Sequence, residues 1–264
     1  MFARERKEAL LIYMRQHKKA SIRELSEEFH VTGATIRTDL KEMEQQELLI
    51  RTHGGAILNQ QSVEKESQLK LRRGIFYDEK RRIGKLARQF VNEGDIILVD
   101  SGTTMVEFAS GLINFESLKV VTNDLTIALE LQKSSAIEIV LIGGDVRNHF
   151  ECTIGAFGTE FLKQISVDKI FLSPNALSIG QGLTTPNEET AAMKKAMIRT
   201  ASEGYILCDS SKIGKKTFCK FADLNEFSYL ITDDGIREED RIALEDQGLQ
   251  VFVCGPEEPL LKRT

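Results

Sequence analysis

Two hydrophobic periodicities divide the chain. Over residues 1–57 the apolar positions recur at helical spacing in short bursts: Ala9, Leu10, Leu11 and Met14 between Arg4 and His17, then Ile22, Leu25 and Phe29, then Ile36, Leu40 and Met43. Ser21 with Glu24 three residues on has the form of a capping box, so a second helix opens there and is expected to end near His30 and Val31. Thr32 offers a cap for a third helix. The segment from Leu48 to Ile57 predicts a hairpin with Gly54-Gly55 as its turn. Two short helices and a hairpin packed on a first helix make a winged helix-turn-helix.

Residues 58–76 show no clear apolar period and read as a linker. Beyond them the pattern changes to alternating strands and helices. Ile96–Val99, Leu118–Val121, Ile137–Ile142, Lys169–Leu172, Tyr205–Cys208, Tyr229–Thr232 and Gln250–Cys254 predict strands. Helices are expected around Ile83–Val91, Val106–Leu112, Leu125–Leu131, Ile154–Ile165, Glu188–Ala201 and Arg237–Gln247. Such alternation gives residues 77–264 a mostly parallel sheet with helices on both faces.

In open sheets of this kind ligands lie outside the carboxyl ends of the strands, and the polar residues of this chain collect there. The first strand breaks into Asp100-Ser101-Gly102-Thr103-Thr104, a hydroxyl-rich glycine turn opening a helix, which suits an anion and above all a phosphate. It is neither a Walker loop nor a dinucleotide fingerprint. Thr122 and Asn123, Gly143 and Gly144, Asn175, and Lys212 follow at other strand ends, with Thr184, Thr185 and Glu188 in a loop read as a lid or hydroxyl reader. A phosphate at Thr103, Lys212 as its cationic partner and the two asparagines on hydroxyls describe a site for a phosphorylated sugar.

Charge refines the picture of the head. The whole chain carries a net −5, but residues 1–57 hold ten Lys/Arg against nine Asp/Glu, so the acidity resides in the remainder. With the apolar rows turned inward, Gly33, Ala34, Thr35, Arg37, Thr38 and Lys41 form a small, hydroxyl-rich face with two cations, suited to a major groove. Arg51 and His53 would lie beside the backbone or minor groove. The four cysteines lack metal-like spacing with the four histidines and read as reduced thiols of a cytoplasmic protein. No metal or cofactor site is expected, and no apolar run approaches membrane length.

Ser21, Leu25, Phe29, Thr32-Gly-Ala-Thr35-Ile36-Arg37-Thr38-Asp39-Leu40 and Arg51-Thr-His53-Gly-Gly-Ala56 closely resemble the DeoR family of bacterial transcriptional regulators. Asp100-Ser-Gly-Thr-Thr104, Thr122-Asn123, Gly143-Gly144, Asp168-Lys169, Gly182-Leu-Thr-Thr185 and Asp209-x-Ser-Lys212 follow in that family's order, so the resemblance spans essentially the whole chain. It implies a sensor domain similar in fold to ribose-5-phosphate isomerase, a phosphorylated sugar as inducer, operator DNA as partner, and a homodimer or homotetramer that represses a sugar catabolic operon. Two positions depart from the family: Thr38 stands where a basic residue is usual, and Ser173-Pro174-Asn175-Ala176 replaces Gly-Ala-Asn-Gly. The alternative is an isomerase-like enzyme with a DNA-binding head. Proton shuttling needs a base and a polarising partner, and the isomerases' paired acids are replaced by Pro174-Asn175-Ala176-Leu177, leaving Asp100, Glu188 and Asp209 as isolated carboxylates.

Overall fold

A computed structural model describes residues 3–45, 49–52, 54–58, 74–147 and 150–256. Its internal contacts separate into two units, Met1–Ile75 and Phe76–Thr264.

The first unit runs α1 (Ala3–His17), β1 (Lys19–Ser21), α2 (Ile22–Glu28), α3 (Gly33–Gln45), β2 (Leu49–Thr52) and β3 (Gly55–Leu58). Leu10, Leu11 and Met14 of α1, Leu25 of α2, and Ile36, Leu40 and Met43 of α3 are buried together, as their spacing requires. The capping box forms: the Glu24 amide donates to Ser21 Oγ at 3.2 Å and the Ser21 amide to Glu24 Oε2 at 2.7 Å. Ile22 and Phe29 are half-buried, the latter edge-on to Tyr13 at 5.9 Å. Arg6 on α1 clamps α3 through Asp39, donating from Nε to Oδ2 at 2.6 Å and from a terminal nitrogen to Oδ1 at 3.2 Å.

The hairpin differs from expectation in two ways. Its register pairs Thr52 with Gly55, so Gly55 is a strand residue and not part of a Gly54-Gly55 turn. A third strand, β1, pairs with β3 and sets Gly55 against Ser21. The physical reason is close approach: a Cβ on Gly55 would stand 2.1 Å from the Ala20 carbonyl oxygen. His53 and most of the expected linker lie outside the described residues.

The second unit is built on a seven-stranded sheet. After α4 (Tyr77–Ala87) come β4 (Ile96–Val99), α5 (Thr103–Ser110), β5 (Leu118–Thr122), α6 (Leu125–Leu131), β6 (Ile137–Leu141), β7 (Asp145–Arg147), β8 (Cys152–Ile154), α7 (Ala156–Leu162) and β9 (Val167–Leu172). They are followed by β10 (Ala176–Ser178), β11 (Gly182–Thr185), α8 (Glu188–Ile198), β12 (Ala201–Leu207), β13 (Cys219–Ala222), β14 (Tyr229–Asp233), α9 (Glu238–Glu245) and β15 (Gln250–Cys254). The sheet order is β15-β14-β12-β9-β4-β5-β6, and every neighbouring pair is parallel. Both faces are covered: Ile97 and Val99 of β4 share one core with Phe108 of α5, while Leu98 shares the other with Met193 and Met197 of α8.

Three segments depart from the sequence reading. Ile154 ends β8 and α7 begins only at Ala156, because the chain first makes the antiparallel β7–β8 hairpin. The long helix stops at Ile198, and Ala201 already pairs with Val167 as the start of β12. Gly182–Thr185, expected in a loop acting as a lid or hydroxyl reader, is the buried middle strand of a small antiparallel sheet ordered β10-β11-β13. Gly182 has φ 72°, and a Cβ there would stand 2.3 Å from the Ala222 carbonyl oxygen.

Candidate functional site

In the head, α3 presents Thr32, Ala34, Arg37, Thr38 and Lys41 as exposed residues, with Gly33 and Thr35 half-buried. Thr32 caps the helix, accepting from the Thr35 amide at 3.2 Å and lying 3.0 Å from the Thr35 hydroxyl. The Thr38 hydroxyl turns back to the Ala34 carbonyl at 3.1 Å. The threonine hydroxyls are thus engaged within the head, while the exposed Arg37 and Lys41 supply the charge. Ser21 serves the α2 cap. Arg51 is exposed on β2, and its amide donates to Glu44 Oε1 at 2.9 Å, which ties the hairpin to α3.

In the second unit the order of strands reverses between β4 and β9, and the crevice beyond their carboxyl ends is the place where such sheets take ligands. The β4 turn lies there. Gly102 has φ 135° with open space where a Cβ would point, so the backbone is accessible. α5 opens directly after it without a side-chain cap, whereas α6 is capped by Asp124 and α8 by Asn187. An uncapped amino terminus presents N–H groups and a positive dipole end to an anion. Ser101 and Gly102 are half-buried; Thr103 and Thr104 are buried, and Thr104 Oγ1 has no hydrogen-bond partner among the described residues.

Cations and carboxylates surround the turn. Lys212 donates to Ser173 Oγ at 3.0 Å and stands 3.9 Å from Asp209. Lys194 of α8, only 4% exposed at its side chain, meets the Asp100 carboxylate and donates to the Ser173 carbonyl at 3.0 Å. Asp100 in turn accepts from the Ser173 amide at 3.1 Å, so it and Lys194 join the two sides of the crevice. Asp124 accepts from the amides of Thr126 at 2.8 Å, Ile127 at 3.0 Å and Gly102 at 3.2 Å. Burial pushes its carboxyl up to about 6 against the pull of those three amides, and the Asp100 charge adds to the rise.

The other expected site residues are distributed as follows. Thr122 is buried and accepts from the Asp124 amide at 3.1 Å. Asn123 donates to the Thr153 carbonyl at 2.8 Å, while its Oδ1 is buried without a partner among the described residues. Asn175 accepts from Thr185 at 2.9 Å, and Thr184 accepts from the Thr217 amide at 2.9 Å, so both threonine hydroxyls are engaged within the protein. Gly143 and Gly144 are exposed after β6, and Glu188 is exposed in the first turn of α8. Of the carboxylates considered as bases, Asp100 is held by Lys194, Asp209 accepts from Ser211, and Glu188 lies open to solvent. Sequence reading missed Lys194 and Arg147, and it placed Asp124 at a strand end without a role. The signal for Lys194 was its place between Ala191 and Met197, at helical spacing with the buried residues of α8.

A winged helix-turn-helix followed by an α/β body with a mostly parallel sheet is the organisation of a DNA-binding regulator with a sensor domain. Residues 6–62 match the DeoR-like helix-turn-helix domain and residues 75–234 the DeoR C terminal sensor domain, and the chain belongs to the DeoR family of transcriptional regulators. It is 33% identical over 251 residues to the HTH-type transcriptional regulator GlpR of Haloferax volcanii, covering 95% of this chain and 98% of that one. It is 34% identical over 227 residues to the lactose phosphotransferase system repressor of Staphylococcus epidermidis, covering 84% and 90%. Among solved structures, ribose 5-phosphate isomerase A from Methanocaldococcus jannaschii aligns with a TM-score of 0.39 at 18% identity, over 52% of this chain and 55% of that one.

Proposed function

We propose that the chain represses a sugar catabolic operon and is released from its operator by a phosphorylated sugar bound in the crevice between β4 and β9. In this reading residues 1–57 are the DNA-binding head, 58–76 the linker and 77–264 the sensor. The chain acts in the cytoplasm as a homodimer or homotetramer on a repeated or palindromic operator. The head reads DNA with Thr32 to Lys41 and steadies itself with Arg51 and His53. The observation that carries the effector reading is an α5 amino terminus without a side-chain cap, with Lys212 on Ser173 at the neighbouring strand end and buried oxygens of Thr104 and Asn123 that have no partner among the described residues. N–H groups and a cation suit a phosphate; the asparagine oxygen suits a sugar hydroxyl. Relatives named as repressors, including that of a lactose phosphotransferase system, support the sugar assignment.

Release requires the effector to favour the arrangement of heads that does not fit the operator. The test is a gel shift of the full chain on DNA from its own promoter, repeated with hexose and pentose phosphates. Release by one of them at sub-millimolar concentration is the expected result. DNA binding that none of them alters would overturn the effector assignment and leave the head intact.

A further inference from the structure

Ser173 is the first residue past β9, and all three of its polar groups meet charged side chains. Its amide donates to the Asp100 carboxylate at 3.1 Å, its carbonyl accepts from Lys194 at 3.0 Å, and its Oγ takes a bond from Lys212 at 3.0 Å. The first two bonds belong to the backbone. With the Asp100 amide on the Phe171 carbonyl at 3.0 Å, they fix Ser173 beside the residue that opens the β4 turn. Pro174 follows, which confines Ser173 to the extended region. The pleat of β9 therefore continues to it, and its side chain leaves the sheet on the same face as Phe171, two residues earlier. That is the face covered by α5: the ring centres of Phe171 and of Phe108 on α5 are 4.4 Å apart.

The bond to Lys212 decides what the hydroxyl can do. An ammonium has donors and no acceptor, so the serine oxygen is the acceptor in that contact. Its own O–H then points elsewhere, and none of the described residues accepts it. Ser173 is 7% exposed, so bulk water offers that proton little compensation. An ammonium on the oxygen also polarises the O–H toward donation. A hydroxyl in this state is matched by an oxygen that only accepts and carries negative charge, which is what a phosphate presents.

We propose that the Ser173 hydroxyl is a ligand of the effector's phosphate, donating to one of its oxygens while Lys212 occupies the serine oxygen. The inference rests on the crevice reading above and deepens it. The phosphate is held from both strands at the switch point, by the turn after β4 and by Ser173 after β9.

The test is calorimetric titration of the full-length wild type, Ser173→Ala and Ser173→Thr with hexose and pentose phosphates, the same sugars unphosphorylated, and inorganic phosphate as competitor. Ser173→Ala removes the hydroxyl and leaves the backbone bonds to Asp100 and Lys194. Ser173→Thr keeps the hydroxyl on a side chain suited to extended backbone. Operator gel shifts serve as the control for folding. Ser173→Ala is expected to bind operator like the wild type, and to lose about tenfold both in affinity for the sugar phosphate that the wild type binds and in competition by inorganic phosphate. Ser173→Thr is expected to stay within about threefold of the wild type. In a Lys212→Gln background Ser173→Ala should cost a further loss of at least about twofold, since the hydroxyl touches the phosphate itself. No further loss there would assign Ser173 to positioning Lys212 and overturn the direct contact. An alanine variant that binds the sugar phosphate within twofold of the wild type, or a threonine variant as weak as the alanine one, overturns the role of Ser173 and leaves the crevice reading standing. A wild type that binds no sugar phosphate overturns both.

Discussion

The Lys194 ammonium and the Asp100 carboxylate meet at the carboxyl ends of β4 and β9, with side chains 4% and 1% exposed. Asp100 also holds the Ser173 amide and Lys194 the Ser173 carbonyl. One ion pair therefore closes the backbone of two adjacent strands at the point where the sheet order reverses.

Removing one partner of such a pair leaves the other charged in a dry site. Lys194→Met is expected to destabilise the sensor by about 3–5 kcal/mol in urea denaturation. The double variant Asp100→Asn with Lys194→Met keeps an acceptor for the Ser173 amide and strands no charge, so it should recover at least half of that loss. Costs that simply add would mean that the two residues act independently.

The second clamp lies in the head. Arg6 is 9% exposed and Asp39 3% exposed, and their two bonds join α1 to the helix that carries Arg37. The pull of Asp39 also raises the Arg6 guanidinium further above its already high range. Asp39→Asn should cost about 2–3 kcal/mol, since a neutral amide cannot hold both guanidinium bonds with the same strength. Hydrogen exchange would rise in α1 and α3 while the amides of the seven-stranded sheet keep their protection. Equal loosening in both units would refute a role confined to the head.

What was legible from sequence followed from how much each segment says about its own burial. Ile96 to Val99 is a run of branched apolar residues covered on both faces, and Ser21 with Glu24 states a helix start in two side chains, so both were placed correctly. β10 and β11 are three and four residues long, and Gly182-Leu-Thr-Thr185 reads as polar until neighbouring strands bury it. The same applies to Gly55, whose role is set by a strand more than thirty residues earlier in the chain. At the crevice, the hydroxyls and glycine of the β4 turn announced themselves, while Lys194 looked like one more helix charge. Its function depends on Asp100, 94 residues away, and no local pattern encodes that meeting.

The exposed face of α3 gives a prediction of gain. Thr38 occupies the position after Arg37, and its hydroxyl bonds the Ala34 carbonyl, so it contributes no charge to DNA. Thr38→Lys should add a phosphate contact and steepen the dependence of log K on log salt by about 1. Arg37→Ala should do the reverse, weakening operator binding about tenfold or more. Gel shifts across a range of potassium chloride concentrations measure both; unchanged slopes would remove α3 from the phosphate backbone.

Asp124 gives the sensor a pH dependence of unusual sign for a carboxylate. Burial raises it from 3.8 to about 6 in the folded chain, although three amides favour its ionised form. A group whose folded pKa exceeds its unfolded one binds more protons when folded, so its stabilising contribution is complete below about pH 4 and is lost as pH rises through about 6. A rise of that size corresponds to about 3 kcal/mol. Asp124→Asn keeps an oxygen for the Thr126 and Ile127 amides and cannot titrate. The difference in unfolding free energy between wild type and variant, measured by denaturation from pH 4 to pH 8, should therefore move against the wild type by about that amount as pH rises. A difference that stays flat would mean that Asp124 is ionised throughout, with the Gly102, Thr126 and Ile127 amides outweighing its burial. Because one of those amides belongs to the β4 turn, the titration would also report how firmly Asp124 holds the turn at which the effector's phosphate is proposed to sit.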